Sequence, residues 1–141
     1  MSIHGKDAYF AVEDAAGTTL RDLSPYLNSI DFSQENDTHD DTTYGSDGHT
    51  FRAGLTNGSI SIGGVWDRTA TTGADVVLQS LVGNSDPVAF EYGPEGNTAG
   101  QVRKAGVAVL SSYAESAPVA DLVTFTASFQ ISGSVTTGVF P

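Results

Sequence analysis

Between Val123 and Val135 apolar and polar residues alternate almost without error. Val123, Phe125, Ala127, Phe129, Ile131 and Val135 fall on one side, and Thr124, Thr126, Ser128, Gln130, Ser132 and Ser134 on the other. A strand sends successive side chains to opposite faces, so this period of two predicts one long strand with a buried face and a wet face. At about 3.3 Å per residue it spans roughly 40 Å, about twice the usual strand. The wet face carries no charge, and Gly133 is the one irregularity. Edge strands are commonly guarded by lysine, proline or a bulge, because a bare edge recruits other chains. This stretch has almost no such guard.

The remaining pattern is also rich in strands. "AYFAV" (8–12) is a short apolar run followed by the turn signal "EDAAGTT". "YLNSIDFSQ" (26–34) alternates, and "SISIGGVWD" (59–67) places Ile60, Ile62 and Trp66 on one face with Ser59, Ser61 and Val65 opposite. Asn57-Gly58 before it is a turn dipeptide. Strands are also expected in "PVAFEY" (87–92) and "VRKAGVAVLSSYAE" (102–115), separated by "GPEGNTAG". "GADVVLQSLVG" (73–83) predicts the one helix, with Val77, Leu78, Leu81 and Val82 as its apolar stripe, Thr72 as cap and Gly83 as stop. A helix this short needs a sheet to pack on. Residues 35–50, "ENDTHDDTTYGSDGHT", have almost no apolar content and predict a long polar loop. The expected fold is mainly β: a two-sheet antiparallel sandwich or barrel with one flanking helix, in a single domain over 1–141. Ile60, Ile62, Trp66, Leu78, Leu81, Phe125, Phe129 and Ile131 are its expected core.

Composition narrows the function classes. Charged residues are 16% of the chain, so much of the surface is hydroxyl, amide and glycine backbone. Such a surface has little charge to desolvate when it meets protein. The formal net charge is −11, and no Lys or Arg lies between Arg21 and Arg52. Binding a duplex tightly takes several phosphate contacts from basic side chains, and only six exist here. No cysteine is present, and the N-terminus lacks the basic and apolar regions of a signal peptide.

No catalytic constellation emerges. Gly5-Lys6-Asp7 lacks the upstream glycine and the Ser or Thr of a phosphate-binding loop. His4, His39 and His49 show no i, i+4 pairing. His39 among Asp37, Asp40 and Asp41 has the residue types of a cation site, but the order of acids about a central glycine is missing, and a solvated loop is the better reading. Neither an enzyme nor a cofactor is expected.

Order and spacing, rather than any chemical motif, point further. "IHGKDAYFAVED", then "LRDLSPYLNSIDF", a polar loop with "TTYG", and "GLTNGSISIGGVWD" are followed by "AFEYGPEGNTAGQVRKAGVAVLSSYAESAPVADLVTFTASFQISGSV". This succession resembles the tail tube (major tail) proteins of long-tailed bacteriophages and their gene-transfer-agent relatives. It departs from them in "TTYGSDGHT", where the family pattern would have Phe followed by Gly-Asp. The resemblance implies a structural virion protein: six copies close into a ring, and rings stack into a hollow tail tube through which DNA passes without specific binding. It implies a tape-measure protein in the lumen during assembly, terminator and distal tail proteins at the ends, and assembly in the host cytoplasm without membrane insertion. The uncharged positions Ser59, Ser61, Thr124, Thr126, Ser128, Gln130 and Ser132 then become expected faces for pairing or packing between subunits. The loop, with Asp37, Asp40, Asp41, Tyr44 and Asp47, becomes an expected ring-stacking element, with Arg52, Arg68, Arg103 and Lys104 as basic partners. The alternatives are the tube protein of a related injection or secretion apparatus and a monomeric decoration or carbohydrate-binding sandwich.

Overall fold

The computed structural model describes residues 3–15, 17 and 19–141. The turn expected over 13–19 includes Ala16 and Thr18, which lie outside the described residues. Seven strands follow the chain: β1 (Tyr9–Glu13), β2 (Leu20–Asp22), β3 (Leu27–Asp40), β4 (Phe51–Val65), β5 (Val88–Gly93), β6 (Val102–Ser116) and β7 (Thr124–Val139). Among the described residues one α-helix, α1 (Ala74–Leu81), lies between β4 and β5. All neighbouring strands are antiparallel, in the order β2-β1-β5-β6-β7-β4-β3.

The two expected layers are thus joined in one continuous sheet that folds over on itself. Phe10 on β1 meets Phe129 on β7, with ring centroids 6.1 Å apart. Phe32 on β3 lies 6.4 Å from Phe90 and stacks at 5.3 Å on Tyr92, both on β5. Neither pair of strands is adjacent in the sheet, so the two halves face each other across the core.

The fold-over has a local cause in the β6–β7 hairpin. Ala105 pairs with Thr136, but Val107 pairs with Ser132, so β7 carries extra residues there. Gly133 takes φ +81° within this bulge, a conformation that side-chain-bearing residues resist. Bulges bend and twist a strand. Here the bend coincides with a change of partners. β6 pairs with β5 only from Lys104 to Ala108, and β7 pairs with β4 only from Thr124 to Gln130. The long hairpin therefore serves one layer with its first half and the other with its second.

Phe125, Ala127, Phe129 and Ile131 are buried, with Ile60 and Ile62 opposite them on β4 and Phe10, Val12 and Phe90 from the other layer. Helix α1 adds Ala74, Val77, Leu78 and Leu81. Val82 is half exposed, and Gly73, not Thr72, occupies the N-cap with no side-chain cap bond. Trp66 departs from the expected core. It is only partly buried, because the chain leaves β4 at Val65, and its indole N–H donates to Glu115 Oε1 at 3.1 Å. Tyr113 Oη also contacts Glu115 Oε1 (3.0 Å) and reaches Asp75 Oδ1 on α1 (3.1 Å). Burial, then these two carboxylates, push the phenol pKa upward, so Tyr113 stays a neutral donor tying the helix to β6.

The faces of β7 can be checked by substitution. Phe129→Ala should destabilise the folded chain by about 3–5 kcal/mol in denaturant unfolding, whereas Thr126→Ala, on the opposite face, should stay within about 0.5 kcal/mol. Similar losses from both would show that the core is not confined to one side of the strand.

Candidate assembly surfaces

Residues directly opposite each other on paired strands share a face, so the registers assemble the far side of the sheet. Asp31 pairs with Ser61, Ser61 with Ser128, and Ser128 with Ser112. Ser33, Ser59, Gln130 and Val109 form the next row, and Ser29, Gly63, Thr126 and Ala114 the row on the other side. Thr124 with Val65 and Ser116, and Ser132 with Val107, extend the surface. The positions singled out from sequence therefore lie together on one four-strand face. Hydroxyl and amide groups knit it: Ser33 Oγ and Ser59 Oγ are 3.0 Å apart, and Gln130 Nε2 donates to Asn57 Oδ1 (2.6 Å) and Gly58 O (2.8 Å). The acids in these rows, Asp31 and, one row on, Glu35 opposite Asn57, stand on β3 at the sheet's end, and no basic residue stands in the rows.

Of the two uses expected for these positions, strand pairing or packing between copies, the backbone leaves room only for packing over the middle of β4 and the first half of β7. From Ser59 to Gly64 on β4 and from Thr124 to Gln130 on β7 both edges are filled within the chain. A hydroxyl-and-apolar alternation describes an internal strand as well as an edge strand, so the pattern could not separate them. The open edges lie elsewhere. β3 has no partner on its outer side, and neither does β6 over Val109–Ser116, among the described residues.

The polar segment 35–50 also differs from the expected loop. Residues through Asp40 continue β3, and β4 begins at Phe51, so a two-stranded arm reaches beyond the sheet and only the tip is loop. Pairing supplied by the opposite strand holds these residues extended although they bury nothing. Asn36 pairs with Thr56 but Thr38 pairs with Ala53, a bulge that puts two β4 residues against one on β3. The arm exposes Phe51 (62%) and Leu55 (80%), and Tyr44 at its tip is fully exposed. Of these, Leu55 was not singled out in the sequence.

The tip is braced internally. Asp41 N donates to Thr50 O at 3.0 Å, Thr50 Oγ1 donates to Asp41 Oδ1 at 2.7 Å, and Arg52 Nε donates to Asp41 Oδ2 at 2.9 Å. Asp40 accepts from the Thr42 hydroxyl and amide. These bonds hold both carboxyls below the ordinary carboxylate value, Thr42 chiefly for Asp40, and Thr50 followed by Arg52 for Asp41. Asp37 and Asp47 are exposed. Two of the four expected basic partners are already occupied: Arg52 by Asp41, and Arg103 by Glu91 at 2.7 Å. Lys104 Nζ sits 5.2 Å above the Phe32 ring, and Arg68 is exposed without an ion pair among the described residues. His39 lies over Gly54, where a Cβ would come within 2.7 Å of Nε2.

Similarity to solved structures follows the same architecture. The chain superposes on a subunit of the tail of an empty gene transfer agent particle, refined with helical C6 symmetry. The TM-score is 0.80 at 17% identity, covering 98% of this chain and 100% of the other. The fold is that of tail-tube subunits. The tail tube of SPP1 matches with TM-score 0.77 at 15% identity, over 98% of this chain and 80% of that one. A chain from the sheath–tube complex of an extracellular contractile injection system matches at 0.63 and 12% identity, over 98% and 92%. No protein-family model matches the chain, and no curated protein matches it either. The tail-tube fold accounts for the long β6–β7 hairpin and the single helix between β4 and β5 as one end-to-end architecture.

Because both arm carboxyls titrate below their ordinary value, the bracing they give is present above about pH 4 and is lost as pH falls through the lowered values. Carboxyl-carbon NMR titration should show the Asp41 midpoint move upward in Arg52→Ala while Asp40 stays in place. Equal movement of both would mean that Arg52 does not act on Asp41 locally.

Proposed function

We propose that this chain is the subunit of a hollow tail tube, a structural and non-catalytic protein that stacks as homohexameric rings into a conduit for DNA. The observation that carries this reading is the end-to-end match, at 98% of this chain, with a subunit from a sixfold helical tail. Open strand edges and an uncharged exposed face are what a subunit completed by its neighbours needs. A tape-measure protein within the lumen, terminator and distal tail proteins at the ends, and assembly in the host cytoplasm before incorporation into a virion belong to the same reading. So do a single tube domain over 1–141 and a ring-stacking role for the arm. Phe51, Leu55 and Tyr44 would give the arm its apolar contacts on the adjacent ring, and Arg68 and Lys104 are the available basic partners for Asp37 and Asp47.

The chemistry suits a conduit. A charge-assisted hydrogen bond to phosphate contributes about 1.5–3 kcal/mol, and one such contact per subunit, repeated along a tube, would arrest a duplex. A face of hydroxyls, with acids at its margin and no cation, lets a polyanion pass within its own counterions. The same fold in a contractile injection system supports a second reading, in which the tube carries a different cargo.

Purified protein, concentrated and viewed by negative-stain microscopy, should give hollow rods, and a variant lacking residues 42–49 should give rings or short stacks. A protein that stays monomeric by sedimentation at high concentration would overturn the tube reading. Full-length rods from the deletion would remove the arm from stacking.

A further inference from the structure

We infer that Asp47-Gly48, at the tip of the arm, is a site of spontaneous backbone modification, where the folded chain converts aspartate to isoaspartate while Asn57-Gly58 stays intact. The chemistry needs no assembly; only its consequence for stacking rests on the tube reading.

Aspartate and asparagine ahead of glycine share one side reaction. The glycine's backbone nitrogen attacks the side-chain carbonyl carbon, and the new C–N bond closes a succinimide ring. Water leaves from aspartate, or ammonia from asparagine, carrying away the nitrogen's proton. Water then opens the ring at one of its two carbonyls. Attack at the former main-chain carbonyl leaves the chain running through the side-chain carbon, which is isoaspartate. For aspartate one water leaves and one returns, so the sum is an isomerisation. Glycine favours closure because no side chain hinders its nitrogen. Near neutral pH asparagine closes faster than aspartate, because a carboxylate repels the nucleophile that an amide admits. Glycine follows such a residue in this chain only at 47–48 and 57–58. By intrinsic chemistry Asn57 would react first.

The fold reverses that order. Closure requires the peptide group to rotate until the glycine nitrogen faces the side-chain carbon, which a paired strand resists. Asn57 and Gly58 sit inside β4, in register with Glu35 and Gln34. Gln130 Nε2 donates to Asn57 Oδ1 at 2.6 Å and to Gly58 O at 2.8 Å, holding the reacting amide and the backbone together. A Cβ on Gly58 would stand 2.9 Å from Ile131 Cδ1 and 3.1 Å from Ser33 O, so little room exists for rotation. The arm tip is the opposite case. Bonds among Asp41, Thr42 and Thr50 close its base, and within 43–49 the one backbone bond among the described residues runs from Ser46 N to Thr43 O at 3.3 Å. Asp47 and Gly48 are exposed, lie outside both strands, and take part in no hydrogen bond or ion pair among the described residues. A Cβ on Gly48 would meet nothing within 4 Å. A segment with so few contacts rearranges at little cost. Isoaspartate at 47 lengthens the main chain between Tyr44 and Phe51, and so shifts the apolar side chains that the arm would present to the adjacent ring.

Soluble protein is held warm in neutral buffer for weeks, digested, and probed with a protein-isoaspartate methyltransferase and by mass spectrometry of the peptides. Methyl acceptance should grow on the peptide containing 47–48, while the peptide containing 57–58 keeps its amide. Gly48→Ala, which the open surroundings of Gly48 accommodate without a positive φ, should cut the label several-fold. In denaturant the order should invert, with Asn57 deamidating ahead of any change at Asp47. Deamidation of Asn57 in the folded protein at the pace of Asp47 or faster overturns the inference. So does an absence of isoaspartate at 47 in the folded protein when the denatured chain forms it. When aged protein is assembled, isoaspartate should be several-fold enriched in the fraction that stays out of rods. Equal content in both fractions overturns the stacking consequence and leaves the modification standing. Absence of rods from fresh protein overturns the tube reading alone.

Discussion

A β-strand carries hydrogen-bonding groups on both sides, and every side must find a partner or water. The architecture of this chain follows from how that demand is met. Seven antiparallel strands share one ladder, and the ladder folds over because the β6–β7 hairpin bends at the Gly133 bulge. The bend lets Phe125 and Phe129 bury against Phe10 and Phe90, but it also separates β5 from the far half of β6 and β4 from the far half of β7. A core is completed at the expense of edges. The chain is thus well packed inside and open at its margins.

Charge is distributed in keeping with those margins. Among the described residues, Arg21, Arg52 and Arg103 are each held by a neighbouring acid, and Lys104 lies over an aromatic ring. The face that spans β3, β4, β7 and β6 is left with hydroxyls, amides and small apolar groups, acids standing only on β3. Ion pairs as exposed as Arg52–Asp41 contribute little to stability. Their effect is to keep these cationic groups occupied by neighbouring acids and out of the hydroxyl rows.

Much of this was legible in the residues. The alternation of β7 separated its buried from its exposed positions, and the stripe at Val77, Leu78 and Leu81 located the helix, because periodicity reports directly which side a core lies on. What periodicity cannot report is where the backbone of a strand finds its partners. The uncharged side of β7 suggested pairing or packing across an interface between copies, and its edges close internally over Thr124–Gln130, which removes the pairing alone. The arm was missed for a related reason. Residues 35–40 have no apolar face to betray a strand and are extended only because β4 runs beside them. Trp66 read as core from its spacing to Ile60 and Ile62, but β4 ends one residue earlier and the indole turns to Glu115. The bulge at Gly133 was visible as a lone glycine in a strand, without the partner register that gives it meaning.

The central proposal is that copies of this chain stack as sixfold rings into a hollow tube. Helical reconstruction of the purified, concentrated protein tests it most directly. The account predicts hollow rods with sixfold symmetry about the axis and this fold as the repeating unit. A protein that stays monomeric, or a filament without a bore, would contradict it.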